Sequence, residues 1–281
     1  MASVPIAAAA DMPQAKITLH WYCFHPLRCS SAVAKVTHCR LEVSRSHRIL
    51  WLLEELQVPY ELKTYKRTKE KLADPALRNI HPLGKSPVVT IEVPGRTQPL
   101  VLAESAAIVE YLCSYYGKGL LPKRYEDGKD GQMGFETESW LRYRYFMHYS
   151  EGSIMPLMLI SILMKSIKDA PVPFFIKPIA NAIVGKVTSL FLAPNFKTHY
   201  AFLEDQLKTA PEGGEYLCGK DLTAADIMMS FPLEAGQSRS GLSKTDCPLV
   251  WAYVDRLHQR EAYQRSVQKI TEVEGSFKSN L

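Results

Sequence analysis

A strand–helix–strand pattern, followed by the pattern of a β-hairpin, occupies residues 16–116 and leaves few folds open to them. KITLHW and YELKTYK are rich in β-forming residues and predict strands. Between them, SRSHRILWLLEEL repeats its apolar residues at helical spacing. A helical crossover of this kind places two parallel strands side by side in one sheet.

Two further strands and two helices complete this part of the chain. PVVTIEV and PLVLA flank the turn sequence PGRTQ, which predicts an antiparallel hairpin. A polar helix is expected before the hairpin at about residues 69–79, and an apolar-faced helix after it at 104–116. The order βαβ, α, ββα is typical of a small mixed sheet flanked by helices.

The second half of the chain predicts helices only. They are expected at 132–151, 154–168, 175–191, 195–209, 223–236 and 248–269, the last broken near Arg260. Thr223 and Asp226 form a TxxD capping pattern, which marks a helix start and speaks for structure. The expected organisation is a disordered tail at 1–15, an α/β domain at 16–117, a linker at 118–131, an all-α domain at 132–272 and a second tail at 273–281.

Composition argues against several classes of protein. The 34 basic and 29 acidic residues are scattered, so no basic stripe for nucleic acid is present. Outside residues 22–40 the cysteines are Cys113, Cys218 and Cys247, whose wide spacing indicates neither a disulfide framework nor a zinc site and favours a reducing compartment. The apolar stretch 152–194 is interrupted by lysines, an aspartate and prolines well short of the ~20 residues that a membrane span needs. We therefore expect no transmembrane helix.

Residues 22–40 resemble neither the strand before them nor the helix after them. They contain Cys23, His25, Cys29, His38 and Cys39, which are acceptable zinc or copper ligands at a spacing that matches no standard site. Without the segment, ITLHW joins LEVSRSHR directly, and its edges can be written as splice signals. Our hypothesis is therefore a translated, unspliced intron, with a metal site as the alternative. Sequencing the transcript would distinguish them.

Three positions in the α/β part suit the binding of an anionic peptide. Ser44 comes just before the first helix, where unpaired backbone N–H groups and the helix dipole stabilise an anion such as a thiolate. Ser86 precedes Pro87 at a strand entrance and, across a cis bond, would present its main chain to an extended peptide. Glu104 and Ser105 start a helix, where they can meet the ammonium and carboxylate of an amino acid. Taken singly, Ser44 and the Glu-Ser pair are also ordinary helix caps.

The ordered set of SRSHR, GKSP, ES and TxxD resembles the glutathione S-transferase superfamily. LHW, YKRT and IHPLGKSP are most similar to its fungal, yeast-type group, which is associated with the endoplasmic reticulum. The resemblance implies a thioredoxin-like N-terminal domain followed by an all-helical C-terminal domain, usually as a homodimer. It also implies an enzyme that conjugates its co-substrate glutathione to small electrophiles without a metal.

The resemblance assigns roles to individual residues. Ser44 would hydrogen-bond the glutathione thiolate, with Ser46 close enough for the register to shift to it. Ser86, through its main chain before a cis-Pro87, would bind the cysteinyl part. The remaining implied contacts are Lys85 at the glycine end and Glu104 with Ser105 at the γ-glutamyl group.

The electrophile is expected between the two domains, and the residues considered for its pocket are Tyr145, Tyr149 and Met155. The two tyrosines share a helix face, and an aromatic stripe of this kind more often belongs to a core or a dimer interface. Two other functions stay open, namely a glutathione-dependent peroxidase and a non-catalytic glutathione-binding or regulatory module. The expected location is the cytoplasm with peripheral association at the endoplasmic reticulum, with no nucleic-acid partner and no integral membrane segment.

Overall fold

The structure, a computed structural model, describes residues 15–23, 45–66 and 74–274. It divides the chain into two compact units. Of the described residues, the first unit contains 15–23, 45–66, 74–118 and 260–274, and the second contains 119–259. The predicted classes, α/β and all-α, are both confirmed.

The first unit is built on a four-stranded mixed sheet. Its strands are β1 (Lys16–Cys23), β2 (Tyr60–Lys66), β3 (Val88–Glu92) and β4 (Leu100–Ala103), in the spatial order β2-β1-β3-β4. β2 runs parallel to β1, while β3 pairs antiparallel with both β1 and β4. The predicted crossover and hairpin are therefore confirmed. Buried Leu19, Val88 and Val89 belong to the core at the centre of this sheet.

Strand β1 is longer than the sequence analysis expected. Tyr22 and Cys23 pair with the end of β2 at Tyr65 and Lys66, so the first two residues of the 22–40 segment belong to the strand. The boundary at residue 22 was wrong because a strand end is set by its partner strand as well as by its own pattern. Residues 24–44, with the rest of the segment and Ser44, lie outside the described residues.

Three helices belong to the first unit: α1 (Ser46–Leu56), α2 (Ser105–Tyr116) and α9 (Glu261–Glu274). Nine consecutive residues of α1, from Ser46 to Glu54, are buried, so the helix is covered on nearly every side. The polar helix expected at 69–79 is a short 3₁₀ turn at Pro75–Asn79 in the described part of that range. The chain does break at Arg260, and the helix beyond it packs against α1 and not in the helical unit to which its sequence was assigned.

The packing of α9 on α1 is fixed by a buried carboxylate. Glu54 accepts from Arg265 Nε at 3.0 Å, lies 3.0 Å from Lys269 Nζ, and receives the Tyr60 hydroxyl at 2.5 Å. Burial alone would raise the pKa of Glu54, but the hydrogen bonds from Tyr60, Lys269 and Arg265 hold the pKa below its usual value. Glu54 is therefore ionised and joins the end of the chain to the first helix.

The second unit consists of helices, as predicted. They are α3 (Glu138–Tyr149), α4 (Met155–Asp169), α5 (Lys177–Val187), α6 (Ala193–Lys208), α7 (Ala224–Arg239) and α8 (Pro248–His258). Single π-helical turns join α3 to α4 and α5 to α6. The first thirteen residues of α7 are all buried, so this helix forms the centre of the unit.

The two joined pairs make continuous helical stretches, Glu138–Asp169 and Lys177–Lys208, that are long and apolar enough to cross a membrane by length and composition. The α3 part buries Tyr143 and Phe146, and the α6 part buries Phe196 and Tyr200. Those parts thus serve a protein core. That the chain has no integral membrane segment stays a prediction.

Asp226 is the polar centre of the helical unit and is fully buried. It accepts from the backbone N–H of Thr223 at 2.7 Å and of Leu217 at 3.1 Å, and from the hydroxyls of Thr223 at 2.8 Å and Tyr253 at 2.7 Å. Thr223 and Asp226 form the predicted capping box. The same carboxylate also accepts hydrogen bonds from the loop at Leu217 and from Tyr253 of α8, so it links the start of α7 to both.

Candidate functional site

The start of α1 meets the residue before the third strand. Ser46, the first residue of α1, is fully buried, and its Oγ lies 2.6 Å from Ser86 Oγ. Ser86 in turn donates its hydroxyl to the backbone carbonyl of His20 on β1 at 3.0 Å. Because Ser86 has one hydroxyl proton, Ser46 is then the donor in the Ser46–Ser86 hydrogen bond. Ser46 thus positions the helix start against the sheet.

The predicted peptide-binding residues lie at this edge of the sheet. The Ser86–Pro87 peptide bond is cis, as the sequence analysis anticipated. Lys85 is exposed, Ser86 is half-buried and Pro87 is buried, so the main chain passes from solvent to core over these three residues. Ser44 falls outside the described residues, two positions before Ser46.

The start of α2 forms the other side of the site. Ser105 is its first residue and is buried, while Glu104 before it is exposed and has φ of 69°. A positive φ at a residue other than glycine costs about 1–3 kcal/mol and is concentrated at ligand-binding sites. Glu104 therefore holds a strained backbone with its carboxylate in solvent, where it can receive an ammonium group.

A residue that the sequence analysis missed joins the two helix starts. Arg48 on α1 is 1% exposed and donates from Nη2 to Ser105 Oγ at 3.1 Å. A signal was present, because Arg48 precedes Leu52 by four positions and so lies on the apolar face of the helix. A guanidinium on that face is expected to be buried against a specific polar partner.

These features give the site a positive character. The N-termini of α1 and α2 each carry roughly half a positive charge, and the Arg48 guanidinium lies with Ser105 at the second of them. Lys85 adds an exposed ammonium at the edge of the same sheet. Only Glu104 among the predicted site residues is acidic. The arrangement suits a peptide with several anionic groups and one ammonium.

His20 supports Ser86 without acting as an acid or a base. Its ring nitrogens lie 2.8 Å from the Tyr65 hydroxyl and 3.0 Å from Thr90 Oγ1. Burial, with a smaller effect from Lys63, lowers the pKa of His20 to about 4. The ring is therefore neutral at pH 7 and is fixed in the sheet. This keeps the backbone carbonyl of His20 in place to accept the hydrogen bond from the Ser86 hydroxyl.

This depressed pKa makes acid stability a test of the arrangement. His20 is expected to titrate near 6.5 in the unfolded chain and near 4 in the folded one. The contribution of His20 to the free energy of unfolding is complete above pH 6.5. Up to about 3 kcal/mol of it is lost as the pH falls to 4, because the unfolded chain binds the proton first. In His20→Gln, denaturant unfolding should show a shallower loss over this range. The exposed His148→Gln variant is the control, and equal slopes in His20→Gln and wild type would contradict the assignment.

The predicted electrophile-pocket residues have different environments within the helical unit. Tyr145 and Tyr149 do share a face, with ring centroids 5.5 Å apart, but Tyr145 is 49% exposed whereas Tyr149 is buried. The Tyr149 hydroxyl lies 2.6 Å from His199 Nδ1, and Met155 is also buried. Tyr145 is thus the accessible member of the set, and the role of all three in substrate binding stays a prediction.

The described residues contain no group of three or more histidine, cysteine, aspartate or glutamate side chains that could hold a metal ion. The candidate ligands His25, Cys29, His38 and Cys39 lie outside those residues. Of the free cysteines, Cys113, Cys218 and Cys247 are buried. Burial raises the pKa of the Cys113 thiol to about 12, so this thiol is protonated at neutral pH.

Comparison with known proteins connects both units to one family. Residues 44–114 match the model of the glutathione S-transferase N-terminal domain, and residues 177–265 match that of the C-terminal domain. Glutathione S-transferase 3 of Schizosaccharomyces pombe is 33% identical over 231 residues, which are 82% of this chain and 86% of the relative. Glutathione S-transferase 1 of Saccharomyces cerevisiae is 29% identical over 237 residues, covering 84% and 96%.

Solved structures agree with this match. A glutathione S-transferase from Actinobacillus pleuropneumoniae superposes with a TM-score of 0.58 at 27% identity, over 94% of this chain and all of the other. A glutathione transferase homologue from Lodderomyces elongisporus, solved with two glutathione molecules per subunit, superposes with a TM-score of 0.62 at 18% identity, over 89% and 96%. The second likeness shows the fold alone.

Proposed function

Because this chain belongs to the glutathione S-transferase family, we propose that it conjugates glutathione to small electrophilic molecules. The observation that carries the proposal is the pair of helix starts joined by a buried guanidinium, with Arg48 of α1 bonded to Ser105 of α2. Glutathione carries two carboxylates, a thiol and one ammonium, and these are the groups that the site around this pair is suited to bind. A solved neighbour from Lodderomyces elongisporus holds two glutathione molecules per subunit, and one from Phanerochaete chrysosporium holds oxidised glutathione, which supports the assignment.

The reaction is proposed to use glutathione as its thiolate, stabilised at the start of α1. Ser44 directly precedes Arg45, which occupies the N-cap position of α1 without a side-chain capping hydrogen bond, and Ser44 would donate its hydroxyl to the sulfur. A shift of about two pKa units from ~8.5 takes roughly 2.7 kcal/mol. A helix terminus contributes about 0.3–2 kcal/mol and a hydrogen bond to a charged group about 1.5–3 kcal/mol. The two together match the requirement.

Ser46 is proposed to position this thiolate site without contacting the sulfur. Its side chain is fully buried and donates its hydroxyl proton to the hydrogen bond with Ser86. The bond holds the helix start beside the main chain of Ser86, which is proposed to bind the cysteinyl part of glutathione. A positioning role therefore fits Ser46 better than the register in which it replaces Ser44.

The remaining contacts are proposed from the exposure of the side chains. The exposed Lys85 would reach the glycine carboxylate, and the exposed carboxylate of Glu104 would take the γ-glutamyl ammonium. The first turn of α2 at Ser105 would receive the γ-glutamyl carboxylate, as expected of a helix N-terminus. With glutathione held at both ends, the geometry itself supplies part of the rate by fixing the thiolate against the electrophile.

We also propose that the protein is a homodimer that detoxifies electrophiles in the cytoplasm. Buried free thiols such as Cys113 support a reducing location. The transferase function is tested by measuring three things: turnover of a chloronitrobenzene, turnover of a hydroperoxide, and retention on immobilised glutathione. Turnover of the chloronitrobenzene is expected. Turnover of the hydroperoxide alone would assign a peroxidase instead, and retention without either turnover would assign a non-catalytic glutathione-binding module.

A further inference from the structure

The first three residues of α1 are each held by a different part of the first unit. Ser46 is bonded to Ser86 at the edge of the sheet, and Arg48 is bonded to Ser105 at the start of α2. His47 lies between them in the sequence and is 2% exposed. Because successive residues of a helix point about 100° apart, three consecutive side chains reach in three directions. His47 therefore meets an element that the two other contacts do not involve.

The partner of His47 lies on α9, the last helix of the first unit. The His47 Nε2 atom lies 2.9 Å from the Ser266 Oγ atom, although the two residues are 219 positions apart in the sequence. Ser266 is fully buried and donates its own hydroxyl to the backbone carbonyl of Tyr263 at 2.6 Å. Since the Ser266 hydroxyl has one proton, His47 Nε2–H is the donor in the His47–Ser266 hydrogen bond. The bond thus ties the first turn of α1 to α9.

Further contacts show that α9 follows α1 along its length in the opposite direction. The Tyr263 ring packs edge-on against His47 and Trp51, with ring centroids 5.0 Å and 5.3 Å apart. Towards the other end of α1, Arg260 Nε donates to Glu55 Oε1 at 2.6 Å. His47, Trp51 and Glu55 are spaced by four residues and so lie on one face of α1. Of these three, His47 is the residue at the start of the helix.

We propose that His47 and Ser266 are positioning residues for the reaction, an inference that rests on the proposed function. Through their hydrogen bond, α9 fixes the place and the direction of the first turn of α1. The backbone N–H groups of that turn and the helix dipole are what the start of α1 offers to a thiolate. Both side chains are buried, so they act through the helix and not by touching glutathione.

A buried hydrogen bond suits this role better than apolar packing does. Apolar contact is non-directional and tolerates a small sliding of one helix on another, whereas a hydrogen bond weakens when its distance or angle changes. The effect of the helix dipole falls off within the first turn, so a small displacement of the helix start weakens it. The bonds of Ser46, His47 and Arg48 together fix this turn against the sheet, α9 and α2.

The pKa of bound glutathione in Ser266→Ala, measured from the thiolate absorbance of the complex, tests the proposal. The wild type is expected to hold glutathione with a thiol pKa about two units below ~8.5. Ser266→Ala should raise this pKa by about one unit, which lies within the range of a helix-terminus effect. Conjugation at saturating glutathione then falls about eightfold at pH 6 and is nearly unchanged at pH 9, where both proteins hold a thiolate. A pKa in Ser266→Ala equal to that of the wild type would overturn the proposal.

Arg260→Gln is the matched control, because it loosens α9 at the end of α1 that lies away from the thiolate site. It is expected to lower the free energy of unfolding, as Ser266→Ala does, and to leave the pKa of bound glutathione and the pH dependence of the rate as in the wild type. If Arg260→Gln raises that pKa as much as Ser266→Ala does, the general docking of α9 positions the helix, and the assignment to His47 and Ser266 is wrong.

Substitutions of His47 separate the hydrogen bond from the packing. His47→Gln keeps an N–H donor near the place of Nε2 and is expected to keep the pKa of bound glutathione close to that of the wild type. His47→Leu removes the donor and should raise this pKa as Ser266→Ala does. His47→Leu combined with Ser266→Ala should recover part of the lost stability, because both polar partners of the bond are then removed. The pKa should still be raised by about one unit and not two, since the residues act through one bond. Additive rises would contradict the proposal.

The wild-type titration distinguishes a failure of this inference from a failure of the proposed function. If the wild type does not bind glutathione, or binds it with the pKa of a free thiol, the proposed function fails and this inference fails with it. If the pKa is lowered in the wild type and equally lowered in Ser266→Ala, the proposed function stands and the positioning role of His47 and Ser266 alone is overturned.

Discussion

Replacing Asp226 by alanine is expected to lower the free energy of unfolding of the helical unit by about 3–5 kcal/mol. The carboxylate is fully buried and receives hydrogen bonds from Leu217, Thr223 and Tyr253. Its removal leaves two backbone N–H groups and a tyrosine hydroxyl buried without their acceptor. Each such group costs about 1–3 kcal/mol, which exceeds the loss of a simple helix cap.

Denaturant unfolding followed by circular dichroism measures this loss, and a second helix cap of the same unit provides the control. Thr137 caps α3 by accepting from the Trp140 backbone N–H at 3.1 Å at a half-buried site. Thr137→Ala is expected to cost about 1 kcal/mol. A similar small cost for Asp226→Ala would mean that Asp226 is only a cap and does not hold the loop at Leu217 or helix α8.

Replacing Ser44 by alanine is expected to lower kcat/KM for a chloronitrobenzene about ten- to one-hundredfold, with the free energy of unfolding unchanged. A hydrogen bond to a charged group is worth about 1.5–3 kcal/mol, and each 1.36 kcal/mol is tenfold in rate. Steady-state kinetics at saturating and limiting glutathione separate the effect on the reaction from that on binding.

Ser46→Ala is the matched comparison, because it removes a serine hydroxyl that lies only two residues further along the chain. Ser46 bonds Ser86 and not the proposed ligand, so its loss is expected to cost about 1 kcal/mol of stability and to act mainly on the KM for glutathione. A larger fall in kcat for Ser46→Ala than for Ser44→Ala would exchange the two roles. If kcat falls in neither variant, neither serine hydroxyl stabilises the thiolate.

Most of the fold could be predicted because its elements have strong local patterns. The crossover from KITLHW to YELKTYK and the hairpin around PGRTQ each depend on neighbouring residues, and the structure confirms both. The capping box of Thr223 and Asp226 could be predicted for the same reason. Local periodicity and turn chemistry determine features of this kind.

The position of α9 could not be predicted in the same way. Its apolar pattern predicts a helix but does not say which unit receives it. The decisive contacts join Glu54 to Arg265 and Glu55 to Arg260, across more than 200 residues of sequence. Surface ion pairs of Arg and Glu are so common that such a pair carries no signal in a single sequence.

The sequence predicted where the candidate residues lie along the chain but not how they connect, and their roles in binding stay predictions. Ser86, Glu104 and Ser105 were proposed because each precedes or begins an element, and the structure places them so. The contact of Arg48 with Ser105 was missed, although a charge on the apolar face of α1 indicated a buried partner. The bond between Ser46 and Ser86 joins residues 40 positions apart, and only the packing of the helix start against the sheet shows it.

The central claim is that this protein binds glutathione as a thiolate at the start of α1. Titration of the thiolate absorbance of bound glutathione, measured as the difference between the complex and its separate components, tests it most directly. The account predicts a pKa about two units below the ~8.5 of a free thiol, returning part of the way toward that value in Ser44→Ala. A bound thiol that titrates like the free one would contradict the claim.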